Sequence, residues 1–138
     1  MVITYTEQPI DPIAHAQLLR IAHPERGGAW HEAVSMAFAG SSYVAAAWDE
    51  DILVGTVRVV DDTVAFALIA DLLVHPSYRQ QGIGKTLVTM CQRTFGSFYI
   101  YADPANEAAR RFYVAIGFSS KELMLHRPSG TTPVEDEG

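Results

Sequence analysis

One cysteine in 138 residues leaves little room for sulfur chemistry. Cys91 alone can build neither a disulfide framework nor a thiolate metal site. It falls on the apolar side of a helical pattern, where a buried structural thiol is expected. Paired histidines are missing too. His15, His23, His31, His75 and His126 show no His-x-x-x-His or similar spacing, so no metal is expected. Scattered surface positions are the reading for them. Basic residues are few: ten Lys and Arg against sixteen Asp and Glu give a net charge of −6. The lack of a basic stripe argues against a nucleic-acid partner, whereas a cationic partner suits the balance. No run of about eighteen apolar residues occurs, and the N-terminus lacks a basic stretch followed by an apolar one. The expectation is a soluble, cytoplasmic chain with no membrane contact.

What the chain does have is a core. Hydrophobic residues make up 49% of it, enough for one domain and too few for two. The domain is expected over residues 1–127. The stretch 128–138, rich in Pro, Gly, Thr and acid, reads as a disordered acidic tail. Val2 to Thr6 alternates as a strand. Asp11 and Pro12 open a helix to about Ala22, with Ile13, Ala14, Leu18 and Ile21 on its apolar side. A second helix is expected from Ala29 to Ala39, after Gly27-Gly28. Tyr43 to Trp48 and Ile52 to Val60 flank Asp49-Glu50-Asp51 as a hairpin, and Thr63 to Val74 is the next strand. Ile83, Leu87, Cys91 and Phe95 recur every fourth residue, which predicts a helix over 83–95. Phe98 to Tyr101 is a short buried strand. A helix starts at Asp103-Pro104, with an apolar face of Ala108, Ala109, Phe112, Tyr113 and Ile116. Gly117 ends it in a left-handed conformation. Leu123 to His126 is a last strand. Strands first and helices interleaved later give an α+β class with a mixed sheet.

The chemistry-bearing stretch runs from Val74 to Lys85, between an apolar strand and an amphipathic helix. A strand–glycine loop–helix junction aims free backbone N–H groups and a positive helix end at one spot, which suits a phosphate or pyrophosphate. A Walker A loop would need glycine where Arg79 stands. A dinucleotide fingerprint would need Gly or Ala where Leu87 stands. What remains is Arg79-x-x-Gly82-x-Gly84. It resembles the acetyl-CoA loop of the GNAT acetyltransferases. A second block, Asn106-x-x-Ala109-x-x-Phe112-Tyr113-x-x-x-Gly117-Phe118, resembles another segment of that family at the usual interval. The resemblance is specific over about residues 52 to 126.

It implies a GNAT-like sheet with helices on both faces. Two parallel strands, ending near Asp71–Val74 and Phe98–Tyr101, would splay to form the acetyl-CoA cleft. Gln81, Gly82, Ile83, Gly84 and Lys85 would give N–H groups to the pyrophosphate, with Arg79 as supporting charge. Backbone groups of Leu72, Leu73 and Val74 would meet the pantetheine arm. Asn106 would touch that arm and Phe112 the cofactor; residue by residue, a turn position and a packing position serve equally. Tyr113 would be the general acid, although by spacing alone it is a core aromatic. Asp71 interrupts an apolar strand, which is costly for a carboxylate without a partner or a task. It either faces the acceptor, as base or cation-binding group, or makes a structural hydrogen bond. Other members place a base glutamate three residues earlier, where this chain has Leu68. The paired-helix region would wall the acceptor pocket; His31 and Glu32 on its second helix either line that pocket or are surface polar residues.

The function expected is N-acetyl transfer from acetyl-CoA to a primary amine by direct attack in a ternary complex. The alternative is a non-catalytic acyl-CoA sensor. The acceptor, small molecule or protein amino group, is not readable in the letters. A homodimer is an expectation carried by the resemblance alone.

Overall fold

The strands β1 (Ile3–Thr6), β2 (Tyr43–Asp49), β3 (Ile52–Asp61), β4 (Phe66–Val74) and β5 (Tyr99–Ala102) form one sheet in that order. The first three junctions are antiparallel and β4–β5 is parallel. The structure, a computed structural model, describes residues 2–125. His126 and the expected tail, residues 128–138, lie outside the described residues.

One face of the sheet is covered by α3 (Ile83–Thr94) and α4 (Glu107–Ala115). Ile83, Leu87 and Val88 are at most 1% exposed there and pack with Val57, Val59 and Ile69. Burying each is worth roughly 1.5–3 kcal/mol relative to leaving it in water. Cys91 is fully buried in the same layer, and burial pushes its thiol up to about 12, so it stays protonated. The other face carries α1 (Pro12–Ala22) and α2 (Gly28–Ala39) over Ala46, Leu53 and Leu73. Among the described residues no helix is long and apolar enough to cross a membrane.

Local chemistry explains where the elements differ from expectation. In α1, Ile13 and Ile21 face solvent, and the buried stripe is His15, Ala16, Leu18 and Leu19. Rotating the helix this way lets His15 find Ser35 of α2, with Nδ1 3.1 Å from Oγ. Strand β4 starts at Phe66 instead of Thr63. Asp62 Oδ1 accepts the N–H groups of Val64, Ala65 and Phe66 at 2.8–3.0 Å, and Thr63 is left-handed, so this stretch is a turn. α4 starts at Glu107 because Asn106 caps it, Oδ1 accepting from Ala109 N–H at 2.9 Å. The expected last strand shrinks to one bridge from Leu123 to Ala102.

Candidate active site

The site begins with an extra residue in β4. Arg58 of β3 pairs with Asp71 and Val59 pairs with Ile69, so Ala70 has no opposite number and bulges. The parallel ladder to β5 runs from Phe66–Tyr99 to Ile69–Ala102 and ends at the same point. A bulge bends its strand, and beyond it β4 has no strand partner on the β5 side among the described residues. His75 N–H donates to Val54 O at 2.8 Å, back toward β3. By strand alternation, Leu73 also turns its backbone to β3, while Leu72 and Val74 turn theirs to the gap.

Just past this open edge comes the turn into α3. Gln80 and Gly82 both have positive φ, 62° and 83°. The first helical bond is Thr86 N–H to Gly82 O. Among the described residues, no acceptor takes the N–H groups of Gln81, Gly82, Ile83, Gly84 or Lys85. A Cβ built on Gly82 meets nothing within 4 Å, so this backbone is open to a ligand. Gly84 is small for a different reason: a Cβ there would lie 3.2 Å from Phe112 Cζ. Phe112 thus wedges α4 against the start of α3. The Ile83 side chain is core, while Gln81 and Lys85 are exposed. Arg79 folds back, its Nε donating to Val74 O at 3.3 Å. Tyr78 ties the loop to the hairpin end, its hydroxyl donating to Asp49 Oδ2 at 2.6 Å.

A cleft of about 770 Å³ lies on the α1–α2 side of the open edge. Asp71, Leu72, Leu73, Asn106 and Tyr113 line it, as do His15, Thr56 and Arg58. Tyr113 is 1% exposed, yet its hydroxyl has no partner among the described residues. Burial above all, with Asp103 and Asp71 adding to it, pushes the phenol above its usual value, so it keeps its proton. Asp71 is bonded to Arg58 Nε, and both are half-buried. Burial raises the Asp71 carboxyl more than Arg58 lowers it. Asn106 spends Oδ1 on its cap, which leaves its amide N–H groups for the cleft.

Two of the histidines depart from the surface placement expected of them. His15 is 1% exposed and His31 is 4% exposed, so neither is a surface residue. His31 holds the end of α1, with Nε2 2.9 Å from His23 O. His15 joins Ser35, packs at a tilt against Phe38 with ring centroids 3.9 Å apart, and lines the cleft. Burial, then Arg58, lowers His15 to about 4, so the ring is neutral at pH 7. Thr56 and Arg58 were also missed. Their two-residue spacing in β3 was the available signal, because it puts both side chains on one face.

This architecture is shared with known proteins. The model of the Acetyltransferase (GNAT) family matches residues 12–118. The chain belongs to the GNAT family. Among curated GNAT-type relatives, it is 36% identical over 73 residues to the histone acetyltransferase TAP1 of Glycine max. It is 36% identical over 76 residues to the chloroplastic GCN5-related N-acetyltransferase 2 of Arabidopsis thaliana. Those matches cover 49% and 51% of this chain but only 30% and 28% of the relatives' length. By structure, it aligns with a GNAT protein of Streptococcus pneumoniae TIGR4 at a TM-score of 0.67 and 27% identity, covering 86% of this chain and 88% of that one. A complex of the aminoglycoside acetyltransferase AAC(6')-Iy with a CoA-linked bisubstrate analogue aligns at 0.69 and 17% identity, covering 95% and 100%. At that identity the second GNAT likeness is one of fold.

Proposed function

We propose that this protein is an N-acetyltransferase that moves an acetyl group from acetyl-CoA to a primary amine by direct attack in a ternary complex. The observation that supports it most is the buried Tyr113 hydroxyl, which lies beside the open half of β4 and has no partner among the described residues. Such a group costs stability unless something outside the protein meets it. The ligands of the fold neighbours, CoA and a CoA-linked aminoglycoside analogue, point the same way.

The residues present suit a pyrophosphate-bearing donor. N–H groups of Gln81 to Lys85 converge at a helix N-terminus, with Arg79 and Lys85 beside them. Backbone groups of Leu72 and Val74 would pair with the pantetheine arm as an added strand does, joined by the Asn106 amide. Leu73 serves by its side chain in the cleft wall, and Phe112 by holding α4 to the loop. Bound here, acetyl-CoA supplies an activated thioester. A backbone N–H at the open edge polarises its carbonyl. As the amine nitrogen bonds to the carbonyl carbon and the C–S bond breaks, Tyr113 gives its proton to sulfur. Solvent restores the phenol. The surplus proton on nitrogen leaves toward Asp71 or water, and the Asp71–Arg58 pair orients the amine. Cys91 takes no part, because it is buried and protonated.

The test is free thiol released from acetyl-CoA over a panel of primary amines, run beside direct titration of acetyl-CoA. Binding with amine-dependent release is expected. A folded sample that binds no acetyl-CoA would remove the proposal.

A further inference from the structure

The cleft contains two more hydrogen-bonding groups that the protein leaves unmet. His15 Nε2 and Thr56 Oγ1 both belong to side chains at most 1% exposed, both line the cleft, and neither has a partner among the described residues. They sit on α1 and β3, which pack against each other. The His15 ring and the Arg58 guanidinium both lie against the Phe38 ring, at 3.9 and 5.8 Å. Thr56 stands two residues before Arg58 on the same face of β3. Ser35 holds the other side of the His15 ring through Nδ1, so the ring is oriented, and its free nitrogen is left to a ligand.

The three carboxylates that line the cleft, Glu25, Asp71 and Asp103, are all engaged within the protein. Asp71 is bonded to Arg58, and Glu25 at the rim lies 3.1 Å from His23. Arg26, also lining the cleft, is stacked over Trp30 at 4.8 Å. An acceptor with several positive charges gains little from carboxylates already engaged. A neutral polar group gains two buried partners that nothing else supplies.

We propose that His15 and Thr56 form a neutral hydrogen-bonding subsite, so that the acceptor is a primary amine of low charge bearing a hydroxyl or carboxamide close to its nitrogen. This rests on the acetyltransferase reading and narrows its acceptor. A buried site of this type discriminates strongly, because an analogue without the polar group strands both side chains. It also accounts for His15 in α1: a leucine would pack there with no penalty, but would contact an acceptor only through methyl groups.

The test uses the whole chain saturated with CoA, and compares ethanolamine and glycinamide with propylamine and spermidine. The His15 imidazole nitrogens are followed by NMR and assigned by their loss in His15→Gln. Ethanolamine or glycinamide should shift the His15 signal and bind at least about tenfold tighter than propylamine. Thr56→Val should erase that preference, and Thr56→Ser should restore it. A His15 signal unmoved by every amine, or spermidine and propylamine binding as well as ethanolamine, would overturn the subsite. If the wild-type protein bound no acetyl-CoA, the acetyltransferase reading itself would fall. Thiol release with no preference among these amines would sink the subsite alone.

Discussion

Replacing Tyr113 by phenylalanine should make the protein more stable and less active at once. The ring is locked between Phe112 and Phe118, with centroids 5.3 and 5.2 Å away, and phenylalanine keeps both contacts. Only the hydroxyl is lost. It is buried with no partner among the described residues, so its desolvation is uncompensated in the free protein. Such a group costs about 1–3 kcal/mol, and removing it should return about 1 kcal/mol. For a domain of this size that raises the melting temperature by about 3 °C. The same change removes the proposed proton donor, which typically contributes 10²–10⁴-fold, or about 3–5 kcal/mol of barrier. Thermal melts and thiol release at saturating acceptor measure the two effects on one sample. Affinity for acetyl-CoA should hardly change, since the hydroxyl belongs to a cleft that the residues of the pyrophosphate loop do not line. A melting point several degrees lower would mean the hydroxyl is structural. An unchanged kcat would end its role as acid.

Three further outcomes are expected. Gly82→Ala forces a side chain into a φ of +83° at about 1–2 kcal/mol, whereas Gly84→Ala keeps helical geometry but meets Phe112 at 3.2 Å. Titration should show weaker acetyl-CoA binding in both, and unaltered affinity in folded variants would contradict the loop assignment. Arg58→Met strands the Asp71 carboxylate, and because the two side chains keep 18% and 35% exposure the loss should be about 1–3 kcal/mol. Adding Asp71→Asn should recover most of it in denaturant melts; no recovery would mean the pair is not coupled. His15 titrates at about 4 in the folded chain against 6.5 when free. Its folded pKa is depressed, so stability is full above pH 6.5 and falls as pH drops from 6.5 to about 4. The loss is roughly 3 kcal/mol, and melts of His15→Gln should show a shallower decline over that window.

The helical and strand periods were legible wherever one face of an element is apolar, as in α3. The pyrophosphate loop was legible because glycines at fixed spacing leave a mark in the letters. Reading failed where a polar side chain replaces a hydrophobic one inside a packed stripe. His15 breaks the apolar pattern of α1, and only tertiary contact with Ser35 and Phe38 explains why that face turns inward. The Asp71–Arg58 pair was half visible. The lone acid in β4 was conspicuous, but its partner lies on another strand, and a bulge sets their register. The early end of β5 pairing left no local trace either, since strand separation is a property of two chain segments and not of one.

The extra residue at Ala70 also acts as a phase shifter. Before it, Ala67 and Ile69 send their side chains into the α3 layer; after it, Leu72 and Val74 do so, while Asp71 and Leu73 point to the cleft. In an unbroken strand the odd-numbered side chains would stay on one side throughout. Asp71 would then be driven into the apolar layer beneath α3. One inserted alanine thus writes two opposite reading frames into a single strand. The first half is phased for a packed interior, the second for chemistry at an open edge.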